Sequence, residues 1–175
     1  MPNYVATRIT VNGDKKTIDQ FIEFVKSDRN VFDFNKITPI PEELDVDNWL
    51  YWCLDPSNWN TKWNSLDAEC CRVSDNCVIY NFSTAWNFCF PIIKKLSKMF
   101  PDAEIDFAYS DDDASYNCGK GKLKNSEYIE EFYPDGGSNE GYQLYIELHP
   151  GSEYELIYDP DLDTYRWFYD DNYET

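Results

Sequence analysis

The stretch that decides the fold covers residues 81–109 and reads NFSTAWNFCFPIIKKLSKMFPDAEIDFAY. Ile92, Ile93 and Leu96 recur at helical spacing and the lysines fall on the opposite face, which predicts an amphipathic helix over residues 90–100. The proline after it ends the helix, and the alternation of apolar and acidic residues that follows predicts a half-buried strand. An apolar strand precedes the helix, so the unit is strand–helix–strand.

The N-terminal segment predicts a second unit of the same kind. Its first strand alternates up to Val11, and Ile18, Phe21 and Val25 mark one face of the following helix. Two such units in tandem, each with a right-handed crossover, predict a ferredoxin-like βαββαβ arrangement, an α+β fold with both helices on one face of the sheet. The predicted elements, in chain order, are strand 4–11, helix 15–28, strand 32–38, strand 77–83, helix 90–100 and strand 104–110.

A Trp-rich insertion, residues 42–76, interrupts this first predicted domain of residues 1–110. The insertion holds four of the six tryptophans. Because one indole can bury about 150–250 Å², we expect the insertion to fold over the sheet, with Trp59, Trp63 and Trp86 largely buried. The alternative is a binding platform for bases or sugars, which exposed indoles would favour.

Residues 111–175 are predicted to form an acidic β extension packed on or beside the same sheet. A strand at 115–123 and a short helix at 127–132 are expected to precede an antiparallel β-meander. The strands of this meander are predicted at 142–149, 153–158 and 165–169. A separate C-terminal β domain is the alternative topology.

Several motifs resemble a known family. They read FNKITPIPEEL (residues 34–44), NWNTKWN (58–64) and FSTAWN (82–87). Together they resemble the YubB-type ferredoxin-like family of phage and plasmid proteins, although Asn60 stands where we expect glycine. The resemblance implies a mobile-element gene and a ferredoxin-like scaffold, and it implies no activity, because that family has no settled one.

The charge is distributed very unevenly along the chain. The net charge is −18, and the sequence pI is about 4.2. Residues 1–100 carry 13 acidic and 11 basic residues, net −2, whereas residues 101–175 carry 20 acidic and 4 basic residues, net −16. Such a surface repels phosphate, so neither nucleic acid nor an anionic membrane is expected as a direct ligand. No signal peptide or membrane span is recognisable, which favours the cytoplasm of a host bacterial cell.

The acidic half also carries many aromatic residues, which disordered acidic tails lack. We therefore expect an ordered acidic surface that mimics nucleic acid and occupies the Lys/Arg-rich groove of a host nucleic-acid-binding protein, in an anti-CRISPR or anti-restriction role. Glu147, Glu153 and Glu155 are expected to project from one strand face at intervals of about 6.6 Å. The candidate partner-binding residues are Glu127, Glu130, Glu131, Asp135, Glu147, Glu153, Glu155, Asp159, Asp161, Asp163, Asp170 and Asp171.

Other functions remain open at this stage. An acidic face that is only solvated would leave a non-catalytic interaction or scaffold domain of a phage. Asp159, Asp161, Asp163 and Asp170 are spaced like EF-hand ligands, but Thr164 stands where that loop needs glycine. Six cysteines and one histidine show no zinc or catalytic signature, so no enzyme, metal or cofactor is expected.

Overall fold

Strand β1 lies in the middle of a six-stranded antiparallel sheet whose order is β2-β3-β1-β4-β5-β6. The computed structural model describes residues 2–45 and 47–168. The elements are β1 (Tyr4–Asn12), α1 (Lys15–Val25), α2 (Trp49–Leu54), β2 (Leu66–Ser74), β3 (Cys77–Ala85), α3 (Phe90–Met99), β4 (Glu104–Asp111), β5 (Cys118–Lys124), β6 (Glu127–Phe132), α4 (Asn139–Leu148), β7 (Leu156–Asp159) and β8 (Thr164–Trp167). β7 and β8 form a separate two-stranded hairpin.

The predicted ferredoxin-like α+β fold is confirmed. The units β1-α1-β2 and β3-α3-β4 interleave, so that β1 pairs antiparallel with both β3 and β4. The buried faces of α1 and α3 pack on the same side of the sheet, where Val5, Ile9 and Val11 of β1 have no solvent exposure. Asp14 caps α1 by accepting a hydrogen bond from the Thr17 backbone N–H at 2.7 Å.

The second strand lies elsewhere than predicted. The strand prediction for residues 32–38 is wrong, because residues 34–36 form a 3-10 helix. The Asp33 side chain accepts a hydrogen bond from the Asn35 N–H at 3.0 Å, which favours that helical turn over an extended chain. The true β2 is an edge strand that is mostly exposed and has register shifts against β3, so it shows no clean period in the sequence.

The Trp-rich connection packs on the core but buries its indoles unequally. Trp59 is buried, and its indole N–H donates to the Thr38 carbonyl oxygen at 2.8 Å. Trp63 is only partly buried, and Trp86 is 38% exposed, so the burial prediction is wrong for Trp86. Asn60 has a φ of 60°, the left-handed region that favours glycine or asparagine, and its amide donates to the Phe88 carbonyl oxygen at 3.0 Å.

The acidic half differs from the predicted meander. Residues 127–132, predicted as a helix, form β6, and the predicted strand 142–149 is helix α4. The predicted strand 153–158 begins as a 3-10 helix and becomes β7 only at Leu156, and β8 ends at Trp167, within the described part of the predicted strand 165–169. β5 continues the sheet from β4, and β6 follows β5.

Helix α4 packs on the sheet face opposite to α1 and α3. Its Leu144 and Leu148 pack with Cys118 against Ala6 and Ala108, which belong to β1 and β4. This second face is only partly covered, so a groove remains open between the end of α4 and β6. No helix among residues 2–45 and 47–168 is long and apolar enough to cross a bilayer.

Gly121 allows β6 to lie close to its neighbours. A Cβ atom there would lie 2.7 Å from the Glu130 carbonyl oxygen and 2.8 Å from the Phe107 ring. We expect Gly121→Ala to lower the free energy of unfolding by about 1–3 kcal/mol, because backbone or a buried ring must move. Thermal and urea unfolding measure this loss. Lys124→Ala, at an exposed position of the same strand, should change it by no more than about 0.5 kcal/mol; equal stabilities of the two variants would contradict the close approach.

Candidate functional site

Eight of the twelve predicted partner-binding residues fall into two groups in the structure. The first group, the acidic edge, comprises Glu127, Glu130 and Glu131 of β6 with Asp135 just beyond it. The second group, the hairpin end, comprises Glu155, Asp159, Asp161 and Asp163, in and beside the β7–β8 hairpin. Asp170 and Asp171 lie outside the described residues.

The predicted row of alternating glutamates does not exist. Glu147 lies on α4, where its carboxylate accepts a hydrogen bond from Arg8 at 2.9 Å and forms an ion pair with it. Glu153 lies in a 3-10 helix, and its carboxylate accepts a hydrogen bond from the Gly151 N–H at 2.8 Å. Glu155 is the residue that ends this helix. The regular spacing of about 6.6 Å is therefore wrong, because a strand was assumed where the chain is helical.

The acidic edge is carried by the last strand of the sheet, and all six residues of β6 are exposed. Lys122 lies opposite Glu130 in the strand register, but its ammonium group contacts Glu104 at 3.1 Å and Asp106 at 3.3 Å instead. Hydrogen bonds from Lys122 to those two carboxylates raise its pKa. In the described part of the chain, the three glutamates of β6 consequently have no ion-pair partner.

Aromatic residues pack β6 against helix α3. The Tyr128 ring stacks on Phe90 of α3, with centroids 5.5 Å apart and planes 4° apart. Desolvation raises the Tyr128 pKa, and a hydrogen bond with Tyr133 and the nearby Glu131 carboxylate raise it further. The Asn125–Ser126 turn before β6 is also fixed to α3, since the Ser126 hydroxyl donates to the Lys94 carbonyl oxygen at 3.1 Å. The acidic edge is therefore held by the core of the fold.

The hairpin end is ordered by its own hydrogen bonds. Asp159 forms an ion pair with Arg166 at 3.2 Å and accepts hydrogen bonds from backbone N–H groups in the turn. Asp163 accepts a hydrogen bond from the Tyr158 hydroxyl, which raises the pKa of Tyr158. The Asn139 amide donates to the Asp163 carbonyl oxygen at 2.9 Å, which joins the hairpin to the start of α4.

Two further aspartates, Asp112 and Asp113, precede Ala114, which packs with Tyr145 of α4 and Leu156 of β7 beside the hairpin end. Desolvation raises the pKa of Tyr145, and the charges of Asp112 and Glu155 raise it further. Asp113 contributes in the same way to the raised pKa of Tyr142, after desolvation and Tyr116. Sequence reasoning missed both residues, because their proximity to the hairpin depends on the packing of α4. The Asp111–Asp113 run was the only signal available.

The EF-hand spacing and the possible Cys–His pair can be compared with the described residues. The carboxylate of Asp159 already binds Arg166 and the turn, and no group of three or more metal-ligating side chains lies within residues 2–45 and 47–168. His149 stacks on Tyr145 with ring centroids 4.1 Å apart, and one of its ring nitrogens lies 3.2 Å from the Ser110 carbonyl oxygen. Neither contact pairs it with a thiol.

The family comparison agrees with the ferredoxin-like fold. Residues 58–149 match the family described as the ferredoxin-like domain in Api92-like protein. The chain belongs to this Api92-like family. The crystal structure of the protein Api92 from Yersinia pseudotuberculosis is similar with a TM-score of 0.45 and 16% identity, over 59% of this chain and 40% of that chain. No curated protein matches the sequence.

The Api92-like domain and its extension concentrate carboxylates at the hairpin end, where they repel one another. We expect the triple variant Asp113→Asn, Glu155→Gln, Asp161→Asn to raise the melting temperature by about 2–4 °C at low ionic strength, because three exposed like charges are removed. In 0.5 M NaCl the gain should disappear, since salt screens exposed charges. Calorimetry at both ionic strengths measures the effect.

The matched control for this experiment lies in the nearly neutral first hundred residues. Its triple variant is Asp28→Asn, Glu42→Gln, Glu43→Gln, at exposed positions. It removes the same number of charges and should change the melting temperature much less. A gain of equal size in both variants would show that the repulsion is a property of the whole molecule and not of the hairpin end.

Proposed function

We propose that this Api92-like protein is a non-catalytic inhibitor, encoded by a phage or plasmid, of a host nucleic-acid-binding defence complex. It acts as an anti-CRISPR or anti-restriction protein: as a nucleic-acid mimic, it occupies the cationic groove of the host complex. The resemblance of its motifs to the YubB-type family supports the mobile-element origin. The mimicry is inferred from the surface charge.

The observation that carries the proposal is a set of exposed carboxylates without counterions. Eight of the candidate residues are exposed and form no ion pair within residues 2–45 and 47–168. These eight are Glu127, Glu130, Glu131, Asp135, Glu153, Glu155, Asp161 and Asp163. A folded chain keeps unpaired charges of one sign at a cost in stability, and attraction of a cationic partner is the usual compensation.

The placement of the basic residues supports the same interpretation. The acidic half has four basic residues, of which Lys122 and Arg166 form ion pairs with Glu104, Asp106 and Asp159. Lys120 lies over the Phe132 ring at 5.8 Å. Three of the four basic side chains thus contact particular neighbours on the sheet and hairpin. The fourth, Lys124, lies opposite Glu127 in the strand register but forms no ion pair with it, so both acidic groups stay negative. A Lys/Arg-rich groove would supply the missing counterions.

The test is capture of host proteins from a nuclease-treated bacterial lysate. One variant reverses the charge of four of the unpaired carboxylates. It should capture at least tenfold less of the nucleic-acid-binding proteins, because these carboxylates no longer attract the cationic groove. Its substitutions are Glu130→Lys, Asp135→Lys, Glu155→Lys and Asp161→Lys. Raising the salt from 50 to 200 mM should weaken the wild-type interaction by roughly tenfold or more, because salt screens the attraction between exposed charges of opposite sign.

The matched control reverses four exposed carboxylates of the first hundred residues. Its substitutions are Asp28→Lys, Glu42→Lys, Glu43→Lys and Asp47→Lys. Both variants change the net charge by the same amount, so the control should keep capture within twofold. Equal capture by wild type and both variants, or capture that salt does not weaken, would refute mimicry and favour a scaffold domain whose acidic groups are only solvated.

A further inference from the structure

Strand β6 leaves one edge of the sheet open. It is the last strand in the order, and among the described residues no strand pairs with its outer side. Such an edge presents unpaired backbone N–H and C=O groups, which can pair with an additional strand. The contacts of Ser126 and Tyr128 with α3 hold this edge in an extended conformation.

Large apolar side chains line the same edge. Tyr128, Ile129, Phe132 and Tyr133 are between 39% and 53% exposed. The register shift near Lys122 interrupts the pairing of β6 with β5, so Ile129 has no partner residue opposite it. Exposed apolar residues concentrated on one strand indicate an interaction site, since isolated ones are scattered over most protein surfaces.

The charges on β6 determine what kind of strand could pair with it. Glu130 and Phe132 lie on the α4 face, opposite Lys122 and Lys120, whereas Glu131 lies on the α3 face, opposite Gly121. Each face therefore offers a carboxylate beside an aromatic residue, with Tyr128 on the α3 face. A second copy of β6 would bring like charges together, which destabilises cross-strand pairs.

We propose that β6 binds an extended cationic segment of the partner protein by strand addition. Lysine or arginine side chains of that segment lie beside Glu130 and Glu131, and its apolar side chains cover Ile129 and Phe132. Backbone hydrogen bonds supply affinity, and the cross-strand charge pairs select a basic sequence. The inference rests on the proposed function for the nature of the partner, and it adds which surface binds and by which contacts.

The other edge of the sheet provides an internal comparison. β2 is also an edge strand, but its Arg72 binds Asp19 and Asp75, so this edge carries a basic group as well as acidic ones. A basic strand should therefore bind more weakly at the β2 edge than at the β6 edge. Strand addition should select β6 over β2, whereas indiscriminate attraction to an acidic protein would not.

The experiment uses the full chain and the designed peptide acetyl-Lys-Lys-Val-Val-Lys-Lys-Val-Val-amide. In an extended strand this peptide carries lysine and valine in turn on each face, as the two faces of β6 require. Binding is followed by hydrogen exchange of backbone amides. Saturating peptide should slow exchange at least tenfold at those β6 amides that point away from β5, and leave β2 unchanged. The same peptide with N-methyl groups on its central residues keeps its charge but loses hydrogen-bond donors, so it should bind at least tenfold more weakly. Binding of both peptides with equal affinity would overturn the proposal.

Matched protein variants identify the carboxylates that select the strand. The variant Glu127→Gln, Glu130→Gln, Glu131→Gln should bind the peptide at least tenfold more weakly, while Glu42→Gln, Glu43→Gln, Asp47→Asn should stay within twofold. Thermal unfolding confirms that both fold. Protection of the hairpin end or β2 instead of β6 would also overturn the proposal. No host protein is present in this experiment, so its result is independent of the capture from lysate. Strand addition can fail while nucleic-acid mimicry holds, and mimicry can fail while strand addition holds.

Discussion

Strand β1 is hydrogen-bonded on both edges, to β3 on one side and to β4 on the other, and the rest of the structure depends on this double pairing. Its Val5, Ile9 and Val11 side chains fill the core beneath α1 and α3. The alternate side chains face α4 and the open groove, where Arg8 binds Glu147. This nine-residue strand thus contributes to a buried apolar face and to a polar face of the sheet. Successive side chains of a strand point to opposite faces, so each face receives every second residue.

The polar face of the sheet pairs its basic side chains with carboxylates. Arg8 binds Glu147 of α4, and Lys122 binds Glu104 and Asp106 of β4. Partly exposed ion pairs of this kind contribute little stability individually. Their effect here is to keep like charges from accumulating over the sheet, whereas the carboxylates of the β6 edge are exposed and form no ion pair among the described residues. The apolar core and the unpaired charges of the β6 edge thus lie in different parts of the molecule.

The sequence predicts the elements whose burial is one-sided, namely β1, α1, β3, α3 and β4, because their apolar periods are unambiguous. It fails for β2, which is exposed on an edge, and for α4, where Tyr142, Leu144, Ile146 and Leu148 alternate while Leu144, Tyr145 and Leu148 also have helical spacing. Packing against Ala6 and Ala108 decides in favour of the helix. The negative charge of the candidate site was predictable from the sequence, but its position in the fold was not, because Ala114, Tyr145 and Leu156 come together only through the packing of α4.

The same central strand has a consequence for how the protein is made. β1 leaves the ribosome early, yet Tyr4 pairs with Ala85 and Val5 pairs with Asp111. At about 5–20 residues per second, a strand with an apolar face waits on the order of 5–20 s for its second neighbour. Such non-local pairing also slows folding. During synthesis β1 is therefore the central strand that stays longest without both of its neighbours.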